Sequence, residues 1–243
     1  MAEARLLDGL RSHRHGEYEE AMLYFNKATY LNVNMAAIHV AKADVYLAVL
    51  DFKSAIVHLR KAITLEEVSQ EVHDTLAALL HAEGFHCMNE ERYDEAILLF
   101  DEALFQNSLL VTIRIHRILC YIAKRQWVVA LREVETGMVL SPNDMELVVL
   151  KAKLQWKLGL LDRGNACISF VLKRNPQHIE CLSFEKGMWS EAREIYERAC
   201  QSILSKQYTK GIEELSVALQ LNPGDSKLLI MRASCYRALV RTF

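Results

Sequence analysis

Glycine and proline are scarce in this chain, nine and three residues out of 243. No glycine-rich phosphate loop of the GxGxxG or Walker type can be placed on it, and neither HExxH nor GxSxG occurs. The nucleotide-binding, zinc-peptidase and serine-hydrolase classes therefore lose their usual signatures. No stretch approaches the roughly 18 consecutive apolar residues of a membrane-spanning helix. Charge of either sign is not in excess: 29 Lys and Arg stand against 31 Asp and Glu, a net charge of −2. That leaves no overall field to draw in nucleic acid or an anionic membrane. The first residues, MAEARLLDGLRSHRHGEYEEA, mix acids with bases around no apolar core, so no secretory leader is expected. Six cysteines (Cys87, Cys120, Cys167, Cys181, Cys200, Cys235) form no CxxC pair and are expected to be buried free thiols in a reducing compartment.

What the chain has is apolar content, 51% of residues, and a pattern that repeats. Tyr93, Ala96, Phe100 and Ala103 in RYDEAILLFDEAL share one face of a helix, because positions three or four apart lie together. The same spacing recurs at Tyr18, Ala21, Phe25 and Ala28, then at Phe52, Ala55, Leu59 and Ala62. It returns at Trp127, Ala130, Val134 and Gly137, at Leu161, Gly164, Ile168 and Val171, and at Tyr208, Gly211, Leu215 and Ala218. Ala21 to Ala55, Ala96 to Ala130 and Ala130 to Gly164 are each 34 residues; Ala55 to Ala96 is 41 and Gly164 to Gly211 is 47. Pro142, Pro176 and Pro223 each lie twelve residues after the small stripe residue of their copy. Proline cannot continue a helix, so each marks the corner where a unit ends.

A 34-residue period with two helices per unit resembles the tetratricopeptide repeat. The resemblance covers nearly the whole chain and implies an all-α fold, a right-handed solenoid of helical hairpins. The expected units are 2–35, 36–69, 70–110, 111–144, 145–178 and 179–225, with a partial seventh at 226–243, in one continuous superhelix over 1–243. Gly9 falls where the family has a small residue on its first helix, and Gly16 at the tight turn. The corresponding turn of the second unit, Leu50-Asp51, lacks glycine and is expected to be right-handed or slightly opened. The seven extra residues of the third unit amount to nearly two helical turns, so one long helix from about Gln70 to Asn89 is predicted, its buried face kept in phase. The thirteen extra residues at 179–191 leave either a break at Gly187 or one long helix from about Gln177 to Lys206. The helix-forming SEAREIYERACQSIL favours the second. On the last helix Leu229, Ala233, Tyr236 and Val240 form a face without a partner in the sequence. The expectation there is a longer natural chain or, alternatively, a partner or second copy over that end.

Nine histidines raise the question of a metal. The best local cluster, His81 and His86 beside Cys87, is spaced by five and falls on different helical faces, where a spacing of four is needed; His13 and His15 are likewise unpaired. Neither metal nor cofactor is expected, nor a paired-carboxylate active site. The resemblance points instead to a concave groove lined by the first helix of each unit. The family's best-known ligand mode grips a chaperone tail's terminal carboxylate with Lys, Asn, Asn, Lys and Arg. The matching positions here are Leu6, Leu10, Ala41, Ala78 and Ala82, which offer no charged donor, so a carboxylate-clamp chaperone adaptor is not expected. The groove is mostly apolar: Leu47, His81, Phe85, Met88, Ile115, Leu119, Ile122, Lys153 and Trp156 are its candidate partner-binding residues, with Val40, His116, Val149, Tyr196 and Ile203 alongside. Some of these are expected to be buried against neighbouring repeats, and the rest to take an amphipathic helix or extended segment of a protein partner.

The resemblance implies a non-enzymatic interaction scaffold. The order of units, the segments DFKSAIVHLRKA and NPGDSKLLIMRASCYRAL, and the offset helix are similar to one vertebrate member of the family. That similarity implies a place in cilia or flagella, with axonemal microtubule-associated proteins or tubulin as partners. The alternative is a regulatory or targeting subunit of an enzyme complex. RNA binding by related helical repeats needs basic groove positions, which are lacking.

Overall fold

The structure, a computed structural model, describes residues 1–241. It is all-α, with no strand among the described residues. Thirteen helices follow one another: α1 (Ala2–Arg14), α2 (Tyr18–Leu31), α3 (Ala36–Ala48), α4 (Phe52–Leu65), α5 (Gln70–Asn89), α6 (Tyr93–Gln106), α7 (Val111–Ala123), α8 (Trp127–Leu140), α9 (Met145–Lys157), α10 (Leu161–Arg174), α11 (Ile179–Leu204), α12 (Tyr208–Leu221) and α13 (Ser226–Arg241). The chain forms two compact units, Met1–Lys124 and Arg125–Phe243. In the first, α1 packs on α2, α3 on α4 and α5 on α6, with α7 against α6. In the second, α8 packs on α9, α9 on α10, α11 on α12 and α12 on α13.

The stripe sets where the second helix of each hairpin begins and what it buries. Each of α2, α4, α6, α8, α10 and α12 opens on the first residue of its stripe and runs 14 residues. The other stripe positions, among them Phe25, Leu59, Phe100, Val134, Ile168 and Leu215, are buried. Small residues on the facing helix make room for the large ones. A Cβ built on Gly9 would lie 2.5 Å from the Phe25 ring, and one on Gly84 would lie 2.6 Å from the Phe100 ring. The three prolines each stand two residues beyond a helix end, after α8, α10 and α12.

Both long helices are continuous. On α5 the residues Leu76, Leu80, Gly84 and Cys87 are buried along one face, so the two extra turns lengthen the helix without rotating its core side. α11 passes through Gly187 unbroken and divides its loyalties. Cys181 packs with Val148, Val149, Ile168 and Val171, whereas Met188, Ala192, Ile195 and Ala199 pack with Leu215, Ala218 and Leu228. Phe184 touches both clusters.

The turn at Leu50-Asp51 departs from expectation. Leu50 is left-handed, at φ 61°, and the corner is tight. The Asp51 amide donates to the Tyr46 carbonyl at 2.8 Å and the Leu50 amide to the Leu47 carbonyl at 3.1 Å. Glu91 and Lys206, with φ 61° and 60°, and Gly16 and Gly159, with φ 78° and 76°, close their corners by the same six-to-one bond. Satisfying the last carbonyls of the helix outweighs the cost of a left-handed side chain, about 1–2 kcal/mol. Leu50 is 73% exposed, so its side chain contributes little packing. Leu50→Gly is therefore expected to stabilise the chain by about 0.5–1 kcal/mol, with Gly16→Ala shifting the melting temperature the opposite way. Thermal unfolding of the two variants checks the pair.

Candidate partner-binding surface

The candidate residues divide between the two units. In the first, Leu47 lies on α3, His81, Phe85 and Met88 on α5, and Ile115, Leu119 and Ile122 on α7. The structure brings α5 and α7 together through histidine. His81 Nε2 and His116 Nδ1 are 2.7 Å apart and the two rings stack at 4.9 Å. Phe85 tilts against His116 at 5.2 Å, and Phe100 of α6 lies below both imidazoles, at 5.9 and 6.1 Å. One imidazole nitrogen of such a pair must donate and the other accept, which requires that at least one ring be neutral. Burial lowers the pKa of each, and for His81 the neighbouring His116 adds to it.

Above this aromatic floor the surface is open. Phe85 is 42% exposed, and His81, Met88, Leu119 and Ile122 are half-buried. Phe85 and Leu119, and likewise Met88 and Ile122, stand 34 residues apart, so they occupy equivalent places on successive first helices. Leu47 and Met88 rest on the core that contains Leu76, Leu80 and Phe100. Ile115 is a correction: it is only 6% exposed and belongs to the interior. It stands one residue from His116, and on a helix that step of about 100° turns it out of the exposed stripe. Sequence reading set His81 beside His86, five residues on; its partner is His116, one period plus one residue away. Scanning for histidines at the repeat spacing is the signal that finds the pair.

Of the five positions matching the carboxylate clamp, Leu6 and Ala41 are buried in the first hairpins' core, Leu10 packs against it, and Ala78 and Ala82 are exposed. Among the described residues no group of three or more His, Cys, Asp or Glu could hold a metal ion. The six thiols are free, and burial pushes that of Cys120 up to about 11. No helix of the described residues is long and apolar enough to cross a membrane.

In the second unit Lys153 and Trp156 lie on α9 against the first half of α11. Lys153 pairs with Glu180, and the Trp156 ring meets Phe184 edge-on at 5.3 Å.

No family model matches the chain. It is similar to tetratricopeptide repeat protein 16 of Macaca fascicularis and of Homo sapiens, at 22% identity over 227 residues in both. Against the Mus musculus protein the identity is 20% over 231 residues. Each alignment takes in 92% of this chain but 26% to 29% of the relative, so the chain spans about a quarter of the length of the curated proteins it matches. Among solved structures it is similar to YrrB, described as a TPR protein with an unusual peptide-binding site, with a TM-score of 0.46 and 15% identity over 76% of this chain and 92% of that one. The TPR domain of P58(IPK) gives a TM-score of 0.46 and 16% identity over 98% and 79%.

The two-helix units, their 34-residue step and the small-to-large stripe decide the fold. It resembles the tetratricopeptide repeat. Stacked repeats of this kind are protein-interaction scaffolds, presenting the surface of successive helices to a partner. Here the repeats present aromatic and aliphatic side chains rather than charged ones at the first-unit surface.

Proposed function

We propose that this chain is a non-enzymatic scaffold that binds another polypeptide along the first helices of its repeats, and that it serves in an axonemal or ciliary assembly. The observation that carries the binding surface is Phe85, exposed above a stacked and hydrogen-bonded His81–His116 pair, with Met88, Leu119 and Ile122 at equivalent register around it. A rigid aromatic anchor surrounded by half-buried aliphatics is the arrangement that concentrates binding energy in an interface. The ciliary role is what the resemblance of the unit order and of the segments DFKSAIVHLRKA and NPGDSKLLIMRASCYRAL to one vertebrate member of the family implies. Microtubule-associated proteins of the axoneme, or tubulin, are the proposed partners.

Leu119→Glu tests the surface. Half-buried and on the outer register of α7, it should accept the carboxylate without unfolding the array. Co-purification from ciliated cells is expected to recover axonemal proteins with the native chain and to lose them at least about tenfold with the variant, while its helicity and melting temperature stay unchanged. Equal recovery by both chains overturns the surface. Recovery of a catalytic complex in place of axonemal proteins assigns the chain to an enzyme's targeting subunit.

A further inference from the structure

One register position on the first helices carries a row of cations. Lys42 of α3, Arg117 of α7, Lys151 of α9 and Arg232 of α13 are separated by the same unit steps as the stripe. Three of them find an oxygen sixteen residues earlier, on the preceding second helix. Arg117 meets Asp101, Lys151 meets Glu135 at 3.6 Å, and Arg232 meets the Ser216 hydroxyl at 3.4 Å. On the two long helices the position holds an exposed Arg198 and Glu83, the latter answered by Lys53 at 3.9 Å.

Lys42 is left without such an answer. Sixteen residues before it stands Asn26 of α2, and the two make no hydrogen bond; no acid pairs with Lys42 among the described residues. Lys42 is nevertheless only 7% exposed, with its ammonium still in reach of water, and burial alone lowers its pKa. A covered ammonium without a counter-charge is costly. Its neighbours add to the imbalance. His39 and Tyr46, three residues before it and four after on the same face of α3, both lie against His58 of α4. Lys42 acts on both imidazoles and Lys61 of α4 on His39, and no carboxylate is among the charges that reach them.

Asn26 is exposed, so the place where the row would put a carboxylate is open to solution. We propose that this place is an oxyanion site. A phosphate or carboxylate group from outside takes the position of the missing acid, paired with Lys42 and within the field of Lys61. Charge-assisted hydrogen bonds from ammonium groups are a usual means of holding such a group. The inference rests on the register of the hairpins, and on neither the α5–α7 surface nor a protein partner.

Inorganic phosphate and acetate, titrated into the 243-residue chain against sodium chloride at equal ionic strength, test the site. The readouts are the imidazole C–H resonances of His58, identified with His58→Phe, and the melting temperature. Phosphate is expected to move the His58 signals saturably and to raise the melting temperature by mass action. Acetate, with about half the charge, is expected to do so more weakly, and chloride to do neither. Lys42→Met, which keeps the stem and drops the charge, is expected to weaken the phosphate response at least about tenfold with unchanged helicity. Asn26→Asp, an exposed substitution that supplies the acid from within, should raise the melting temperature without added anion and weaken phosphate binding by a similar factor. Unmoved His58 signals in phosphate, an equal response to chloride, or an undiminished response in either variant overturns the site.

Discussion

Truncating Phe100 to alanine is expected to cost the first unit about 3–5 kcal/mol, the upper range for emptying an aromatic site in a packed core. Phe100 is fully buried at the centre of the stripe on α6, beneath α5 and within ring contact of both His81 and His116. The site has little room to collapse, because Gly84 has already brought the α5 backbone down onto the ring. The converse substitution tests the same contact. Gly84→Ala places a methyl group 2.6 Å from Phe100 Cε1, and overpacking against a rigid ring is expected to cost about 1–3 kcal/mol. In a Phe100→Leu background the obstruction is relieved and the helix-forming preference of alanine, about 1 kcal/mol over glycine, reasserts itself. Gly84→Ala should then be stabilising by up to about 1 kcal/mol. Urea unfolding of the four chains of this cycle checks it; equal costs in both backgrounds would show that ring and glycine are not coupled.

Acidification is expected to destabilise the fold through a second histidine pair. His39 of α3 and His58 of α4 place their Nδ1 atoms 3.1 Å apart, and Tyr46 stacks on His58 at 5.3 Å. Burial pushes the His58 pKa down to about 4, with the Lys42 ammonium and His39 adding to it. His39 is lowered by burial first, then by Lys42, its contact with the Val33 carbonyl opposing, and Lys61 last. The sign follows directly. Unfolded, these rings bind protons near 6.5; folded, they resist until lower pH, so the stability tied to their neutral form is complete above about 6.5 and is lost as pH falls toward 4. For His58 this amounts to something on the order of 2 kcal/mol, after allowance for its partial exposure. His81 and His116 are lowered in the same direction. The melting temperature of the native chain should fall steadily over that range, and that of a His39→Leu, His58→Phe chain should fall less. An identical slope for the two would remove the pair from the explanation.

Much of the fold is visible in the residues. The stripe and its spacing place the second helix of every hairpin to the residue, because small and large side chains at three- and four-residue intervals have only one face on which to pack. The length of α5 follows from a seven-residue excess that preserves its phase. α11 was legible through its helix-forming residues, although its ends at Ile179 and Leu204 are two residues inside the span expected. What composition misjudged was Leu50, where glycine's preference for left-handed backbone suggested a different turn. The deciding term is a pair of backbone hydrogen bonds that any side chain can accommodate at modest cost. The site was less visible. His81 and His116 meet across hairpins, and Ile115 turns inward by a single step along the helix. Ion pairs between neighbouring hairpins, Arg117 with Asp101 and Lys151 with Glu135 at 3.6 Å, were also missed. Each joins an acid to a cation sixteen residues later, a spacing that reads as nothing until a helix end and a corner are folded into it. The acid of each pair is exposed to water although its cation is largely covered, so solvent screens the attraction to about 1 kcal/mol, and their omission did not mislead the fold.

α11 carries a consequence for how the second unit comes apart. Tandem arrays ordinarily fray one module at a time, since each touches only its neighbours. Here the same uninterrupted rod of 26 residues is wedged into two separate interiors, with Phe184 shared between them. Releasing α12 and α13 bares half of a helix whose other half stays pinned. The amides of α9 to α12 should accordingly exchange their protons as a single cooperative block, with no stepwise peeling from the carboxyl side.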